Sequence, residues 1–119
     1  MAYDAGVDAA LKAIAEPRRR AILRLVWDRE LAAGEIASNF DVSRPAVSQH
    51  LRVLKDADLV SERRDGTRRL YLAKRDTVAD LRQFLDDYWS DTLTRLRDAA
   101  EDAERDKRRQ NPPNDERTL

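Results

Sequence analysis

The sequence contains no cysteine, only three glycines and 6% aromatic residues. The lack of cysteine excludes disulfide bonds and thiolate metal ligands. With so few aromatic residues, any hydrophobic core must consist of leucine, isoleucine, valine and alanine. No apolar run approaches the ~20 residues that cross a bilayer, and residues 1–10 lack the basic start and apolar run of a signal peptide. We therefore expect a cytoplasmic protein without membrane contact.

Motifs of common catalytic sites are missing as well. The sequence has no phosphate-binding loop, no nucleophile elbow and no regular spacing of metal ligands. Its one histidine, His50, has no acid or serine fixed beside it by any motif. We therefore predict that the protein is not an enzyme and has no cofactor.

The 119 residues are enough for one compact domain and a tail, and their charges are unevenly distributed. Lys+Arg and Asp+Glu both number 23, so the formal net charge is zero. Residues 42–75 nevertheless hold nine basic and four acidic side chains, whereas residues 76–106 hold four basic and ten acidic ones. The zero net charge hides a basic segment of the kind that contacts nucleic-acid phosphates.

Apolar periodicity predicts three helices in the first part of the chain. The first covers residues 5–15. The second begins at Pro17, whose missing N–H is harmless in a first turn, and runs to about Trp27. A short third helix covers residues 33–39 and is followed by a tight connection.

A fourth helix is predicted from the N-cap residue Ser43 to about Ala57, with Pro45 tolerated in its first turn. Its apolar stripe consists of Val47, Leu51 and Leu54. Its opposite, polar face consists of Arg44, Ser48, Gln49 and Arg52. A short helix, a tight turn and a polar-faced helix are typical of a helix-turn-helix, whose second helix enters the DNA major groove.

A β-hairpin is predicted next, because Asp65-Gly66 lies between two strand-like runs and both residues tolerate positive φ. The runs cover residues 59–64 and 67–73. Four arginines crowd the tip, namely Arg63, Arg64, Arg68 and Arg69. A solvated face is the usual reading of such a cluster, but the neighbouring polar-faced helix favours contact with phosphates.

A long amphipathic helix is predicted from about Asp76 to about Arg105. Its apolar stripe consists of Val78, Leu81, Leu85, Tyr88, Trp89, Leu93, Leu96, Ala100 and Ala103. Because the core of so small a chain is thin, we expect this stripe to pack against a second copy, with intramolecular packing as the alternative. Residues 107–119 show no apolar periodicity and are expected to form a disordered charged tail after a domain over residues 1–106.

Four segments together resemble a known protein family. They are residues 11–23 (LKAIAEPRRRAIL), 33–37 (AGEIA), 42–55 (VSRPAVSQHLRVLK) and 57–60 (ADLV). The chain from about Leu11 to Ala73 is similar to the ArsR-type winged helix-turn-helix repressors. One departure is Asp58, where the family pattern usually has glycine.

The resemblance implies a mainly α fold with a small β-hairpin wing, and a homodimer formed by the first and last helices. We assign the interface to Val7, Leu11, Leu81, Leu85, Tyr88, Trp89, Leu93 and Leu96. It also implies a recognition helix at about 43–57 and a wing at about 60–73 that bind an inverted-repeat operator in double-stranded DNA. The expected contacts come from Ser43, Arg44, Ser48, Gln49, His50 and Arg52 in the helix and from Arg63, Arg64, Arg68 and Arg69 in the wing.

Many proteins of this family sense metals through cysteines in the short helix or through Asp, His and Glu sets on the last helix. Neither set exists here, since cysteine is absent and His50 is the only histidine. We therefore expect a metal-independent regulator. A carboxylate-only site on residues 76–106 is the alternative, and it would favour hard cations.

Several residues keep two readings at this stage. His50 could contact DNA or pack beside the helix-turn-helix. Arg18, Arg19 and Arg20 could touch phosphate, or pair with Glu16 or with the acidic last helix. The sequence does not identify a small-molecule or protein effector. If one binds, Trp27, Tyr88 and Trp89 could line its pocket, or they could belong to the core or the dimer interface. The alternative function is a winged helix that contacts proteins and has no operator of its own.

Overall fold

The computed structural model describes the backbone of residues 2–110 and the side chains from Gly6 onward. The elements are α1 (Ala2–Ile14), α2 (Pro17–Leu25), β1 (Leu31–Ala32), α3 (Ala33–Ala37), α4 (Arg44–Asp56), β2 (Val60–Asp65), β3 (Arg68–Ala73) and α5 (Arg75–Gln110). The strands form an antiparallel sheet in the order β1-β3-β2. The chain divides into two compact units, and the first ends at Arg82. The predicted mainly α fold with a hairpin wing and a long last helix is confirmed.

Two helix starts follow directly from their capping residues. The carboxylate of Glu16 accepts a hydrogen bond from the Arg19 backbone N–H at 3.0 Å, which caps α2. The hydroxyl of Ser43 accepts one from the Ala46 N–H at 3.2 Å, which caps α4. Each bond satisfies a first-turn donor that has no partner within its helix. Helix α4 therefore starts after Ser43, where the sequence predicts it.

Strand β1 was not predicted from the sequence, and α3 is shorter than predicted. β1 has two residues, and Leu31 and Ala32 pair with Tyr71 and Leu70 of β3. A strand of two residues is too short to show alternating apolar and polar residues. It is defined by pairing with its neighbour in the sheet, so the sequence carries no signal for it. α3 then ends at Ala37, two residues before the predicted end.

The hairpin is present, but its turn is one residue later than predicted. Asp65 pairs with Arg68, which leaves Gly66 and Thr67 as the two turn residues. Gly66 has a φ of 64°, whereas Asp65 stays in the strand. Positive φ at the first central position alone is typical of a II′ turn, in which glycine carries the strain.

The core lies in the first unit and is aliphatic, as predicted. It consists of Ala10, Ala13, Ile22, Leu23, Val26, Leu31, Ile36, Val47, Leu51, Leu54, Ala57, Leu59, Val60, Leu70, Ala73 and Leu81. Of the described side chains of α1, only Ala10 and Ala13 belong to this core. Its larger apolar residues Val7, Leu11 and Ile14 stay half-exposed, so this apolar face is not fully covered within one chain.

The end of α4 explains the departure from the family pattern. The helix ends at Asp56, and Asp58 then adopts a left-handed conformation with φ 62°. The Leu59 N–H donates to the Leu54 carbonyl at 2.9 Å, as in a Schellman motif. Glycine is the usual residue at such a position because it has no Cβ. In this chain the Asp58 carboxylate compensates by accepting a hydrogen bond from Lys74 Nζ at 2.6 Å.

Helix α5 continues to Gln110, so residues 107–110 are helical and the expected end at about Arg105 is wrong. The predicted tail over residues 111–119 lies outside the described residues. The last turns carry intrahelical ion pairs, namely Arg97–Glu101, Asp102–Arg105, Glu104–Arg108 and Asp106–Arg109. Such pairs support a helix that apolar periodicity does not reveal. Within residues 2–110, every helix is too short or too polar to span a membrane.

Candidate nucleic-acid interface

Helix α4 presents a fully exposed polar face. Its apolar stripe is 0–1% exposed, which fixes the rotation of the helix on the core. The exposed side chains on the opposite side of α4 are those of Ser43, Arg44, Ser48, Gln49 and Arg52. Five of the six residues predicted to contact DNA from this helix therefore lie on one open surface.

His50 is the sixth, and it faces elsewhere. Its side chain is half-buried, and Nδ1 lies 3.5 Å from Arg19 Nη1 and 3.9 Å from Glu16 Oε2. Both partners belong to the start of α2. This placement supports the packing alternative for His50, because its ring is engaged within the chain.

The arginines after Pro17 have a role that the sequence analysis missed. Arg19 donates from Nε to the Ala13 carbonyl at 2.6 Å and from Nη2 to the Lys12 carbonyl at 3.1 Å. Arg20 donates from Nη1 to the Ile14 carbonyl at 2.7 Å. These carbonyls have no partner within α1, because the helix ends there. Arg19 and Arg20 thus cap the end of α1 from the following helix.

The polar face of α4 and the wing enclose two adjoining grooves, which lie wholly in the first unit. One is about 560 Å³ and extends from the start of α3 past Arg44 and Arg68. The other is about 470 Å³ and lies along Arg52 and Lys55. Ser48, Arg69 and Tyr71 line both grooves. We call the polar face of α4, these two grooves and the wing arginines the basic face.

Three of the four wing arginines form ion pairs within the chain. Arg63 donates two hydrogen bonds of 2.9 Å to the two carboxylate oxygens of Glu30. Two further pairs are Arg68–Glu35 at 3.4 Å and Arg69–Glu62 at 3.2 Å. Arg64 forms no ion pair with any part of the chain that the structure describes.

The hydrogen bonds between Arg63 and Glu30 lower the pKa of the Glu30 carboxyl group and raise the pKa of the Arg63 guanidinium group. The wing arginines were predicted from the sequence, but their carboxylate partners were not. Glu30 and Glu35 are each 33 residues from their partner in the chain. No local spacing could therefore have revealed these pairs.

Tyr71 is a further residue of the basic face that was not predicted from the sequence. It pairs with Glu62 across the hairpin and lies half-buried between the grooves. Burial raises the pKa of the Tyr71 phenol, and the negative charge of Glu62 raises it further. Its hydroxyl therefore remains a neutral hydrogen-bond donor at neutral pH. Glu62 also accepts from Lys55 Nζ at 3.4 Å, which links the end of α4 to the sheet.

The second unit carries a large exposed apolar stripe on α5. Tyr88, Trp89, Leu93 and Leu96 are 53%, 55%, 58% and 60% exposed. Leu85 is half-buried. Leu81, also predicted to lie in the dimer interface, is 6% exposed and belongs to the core of the first unit. The phenol ring of Tyr88 packs edge-on against Trp89, with ring centroids 5.7 Å apart.

Comparison with known proteins identifies the family. The family model described as bacterial regulatory protein, arsR family, matches residues 16–62, from the cap of α2 into β2. The HTH-type transcriptional regulator Rv2034 of Mycobacterium tuberculosis is 49% identical over 87 residues, which are 73% of this chain and 81% of that regulator. The chain belongs to the ArsR family.

Two further relatives of this ArsR-family chain carry informative names. The transcriptional repressor SdpR of Bacillus subtilis is 46% identical over 55 residues, 46% of this chain and 61% of that repressor. A solution structure from Mycobacterium bovis is described as a homodimeric winged helix-turn-helix DNA-binding domain. It is 32% identical, has a TM-score of 0.62, and the match covers 72% of this chain and 82% of that domain.

Family membership assigns parts to the elements of this ArsR chain. Helices α3 and α4 are the helix-turn-helix, and β2 with β3 is the wing. Among the side chains of residues 6–110, no group of three or more Asp, Glu or His is arranged to hold a metal ion. The sequence has no cysteine to supply a thiolate.

Proposed function

We propose that the protein is a metal-independent transcriptional repressor that binds an inverted-repeat operator as a homodimer. The observation that carries this proposal is the basic face, where an exposed polar helix and an arginine-rich hairpin border the same grooves. A B-DNA major groove is about 12 Å wide and admits one helix. We place its action in the cytoplasm, where a family of bacterial regulatory proteins meets chromosomal DNA.

The exposed residues of α4 suit direct contact with base edges. The side-chain amide of Gln49 can donate one hydrogen bond to adenine and accept another from it. Arg44 can reach guanine or a phosphate. Ser43 and Ser48 can bond to either bases or phosphates. Arg52 lies about two turns beyond Arg44 on α4, where a groove-bound helix approaches the phosphate backbone.

The wing is suited to the flanking DNA. Its arginines extend from a narrow hairpin whose tip is Gly66-Thr67. Arginine side chains are attracted into narrow minor grooves and to phosphates. These contacts would add affinity for any sequence, whereas the residues on α4 would select the operator.

Dimerisation is supported by the exposed stripe on α5. Contiguous apolar patches of this kind mark protein contacts, because water is displaced from them on association. The half-exposed Val7 and Leu11 on α1 supply further apolar surface, and the M. bovis relative is described as a homodimer. Two copies would place their recognition helices one DNA turn apart, about 34–36 Å. A bound dimer would repress by covering the promoter.

The test is selection of bound sequences from a random DNA pool by the purified full chain, without added metal. We expect one inverted repeat to be enriched. The logarithm of its affinity should fall with the logarithm of the salt concentration by about 0.9 per neutralised phosphate. Enrichment of no sequence would overturn the proposal and favour a protein-contact module.

Arg44→Ala and Arg24→Ala form a matched pair for the same assay. Both side chains are exposed arginines on helices, but Arg24 lies on α2 and lines neither groove of the basic face. We expect Arg44→Ala to weaken operator binding by about 1–3 kcal/mol. Arg24→Ala should leave it nearly unchanged. Equal losses would show that only overall charge matters.

A further inference from the structure

Two carboxylates from outside the hairpin pair with arginines of the wing and have no part in the proposed function. Glu30 precedes β1, and Glu35 lies in α3. A negative charge beside a DNA-binding surface repels phosphate, so its presence there needs an explanation. Both carboxylates are bonded to arginines of the wing.

Glu30 holds its arginine in the geometry that a phosphate would use. Both of its oxygens accept hydrogen bonds from Arg63, one from Nε and one from Nη2, each at 2.9 Å. This paired arrangement is the way that a guanidinium binds either a carboxylate or a phosphate. The side chains of Arg63 and Glu30 are 57% and 32% exposed, so DNA can reach the pair.

Glu35 holds a second arginine with one oxygen. Its Oε1 lies 3.4 Å from Arg68 Nη1 and also accepts a hydrogen bond from the Ala32 N–H at 3.0 Å. The backbone bond keeps the carboxylate in place at the start of α3. Arg68 lines the larger groove of the basic face together with Glu35.

We propose that Glu30 and Glu35 act as internal substitutes for phosphate, which occupy Arg63 and Arg68 until DNA displaces them. This inference rests on the proposed function, because it concerns how the same basic face is regulated. Exposed ion pairs are weak, so DNA can break them. Breaking these ion pairs nevertheless costs free energy, so the net affinity for DNA is lower. The freed carboxylates then attract cations, which makes DNA binding less sensitive to salt. The protein thereby limits non-specific binding by its own wing.

Glu30→Gln and Glu35→Gln test this proposal, because glutamine keeps the shape of glutamate. At position 35 the amide oxygen of glutamine can still accept the hydrogen bond from the Ala32 N–H. We expect each variant to bind random-sequence DNA about two- to fivefold more tightly at about 50 mM salt. The salt slope should become steeper. Asp56→Asn is the matched control, because Asp56 lines the smaller groove and forms no ion pair within residues 2–110. It removes the same charge without releasing an arginine.

A double-mutant cycle decides between release of an arginine and a general change of charge. In an Arg63→Ala background Glu30 is an unpaired charge, so the gain from Glu30→Gln should fall to that of the Asp56→Asn control. The proposal is overturned if the full gain persists there, if Asp56→Asn in the wild-type background gives the same gain as Glu30→Gln, or if Glu30→Gln and Glu35→Gln weaken binding by disordering the wing. Failure of the wild-type chain to bind DNA would instead overturn the proposed function, since the variants are compared with measurable wild-type binding.

Discussion

Helices α4 and α5 are both amphipathic, but their apolar stripes are covered to very different extents. The stripe of α4, formed by Val47, Leu51 and Leu54, is 0–1% exposed. On α5, Leu93 and Leu96 are 58% and 60% exposed. Hydrophobic periodicity predicts both helices equally well, yet it does not reveal what covers each stripe.

The difference indicates separate tasks for the two helices. Helix α4 is fixed by contacts within its own chain, so its polar face is in place before DNA arrives. The exposed part of α5 has no such cover from residues 6–110. Changes in the α4 stripe should therefore affect folding, and changes in the α5 stripe should affect association.

The largest effect that tests this contrast is on stability. Leu51→Ala should lower the free energy of unfolding by about 2–5 kcal/mol, because it opens a cavity in a tightly packed core. Leu93→Ala should lower it by less than about 0.5 kcal/mol when measured on monomeric protein. Urea unfolding at low protein concentration measures both. Similar losses in the two variants would contradict the comparison.

The second prediction concerns association. Leu93→Glu combined with Leu96→Glu should raise the dimer dissociation constant by about 100-fold or more, because two charges would enter an apolar interface. Thr94→Glu is the control, since this exposed side chain lies on the opposite side of the same helix. Sedimentation equilibrium measures the change. A dimer that tolerates the double substitution would show that the stripe serves another contact.

The prediction of α4 and its apolar stripe from sequence succeeded for local reasons. Ser43 caps the helix with its own hydroxyl, and the spacing of the stripe sets the rotation of the helix. The failures depend on contacts distant in sequence. His50 turns toward Glu16 and Arg19, and β1 exists only because β3 lies beside it. The turn at Gly66 depends on how the two strands pair.

The third prediction separates base selection from general attraction. Gln49→Ala should cost about 1–3 kcal/mol on the preferred operator and relax base preference at one position. Arg64→Ala should weaken binding evenly across sequences, because an arginine at the wing meets phosphates. Titration of both variants against the operator and single-base variants measures this. If both lose affinity evenly, α4 does not read the bases.

The smallest effect concerns the left-handed residue at the end of α4. The bonds from Lys74 and Thr77 lower the pKa of Asp58 below its ordinary value of 3.8. A carboxyl group whose pKa is lower in the folded state stabilises the fold above that ordinary value, and this stabilisation is lost as the pH falls through the folded value. Asp58→Gly removes these bonds but relieves about 1 kcal/mol of backbone strain.

We therefore expect Asp58→Gly to be more stable than the wild type in acid, where the wild-type carboxylate is protonated. Near neutral pH the advantage should shrink, because the wild type regains its bond to Lys74. Urea midpoints across the pH range measure this change. Asp56→Asn is a suitable control, since Asp56 is exposed in the last turn of the same helix. An advantage of Asp58→Gly that is independent of pH would mean that backbone strain alone distinguishes the two residues, and that the carboxylate does not secure the end of α4.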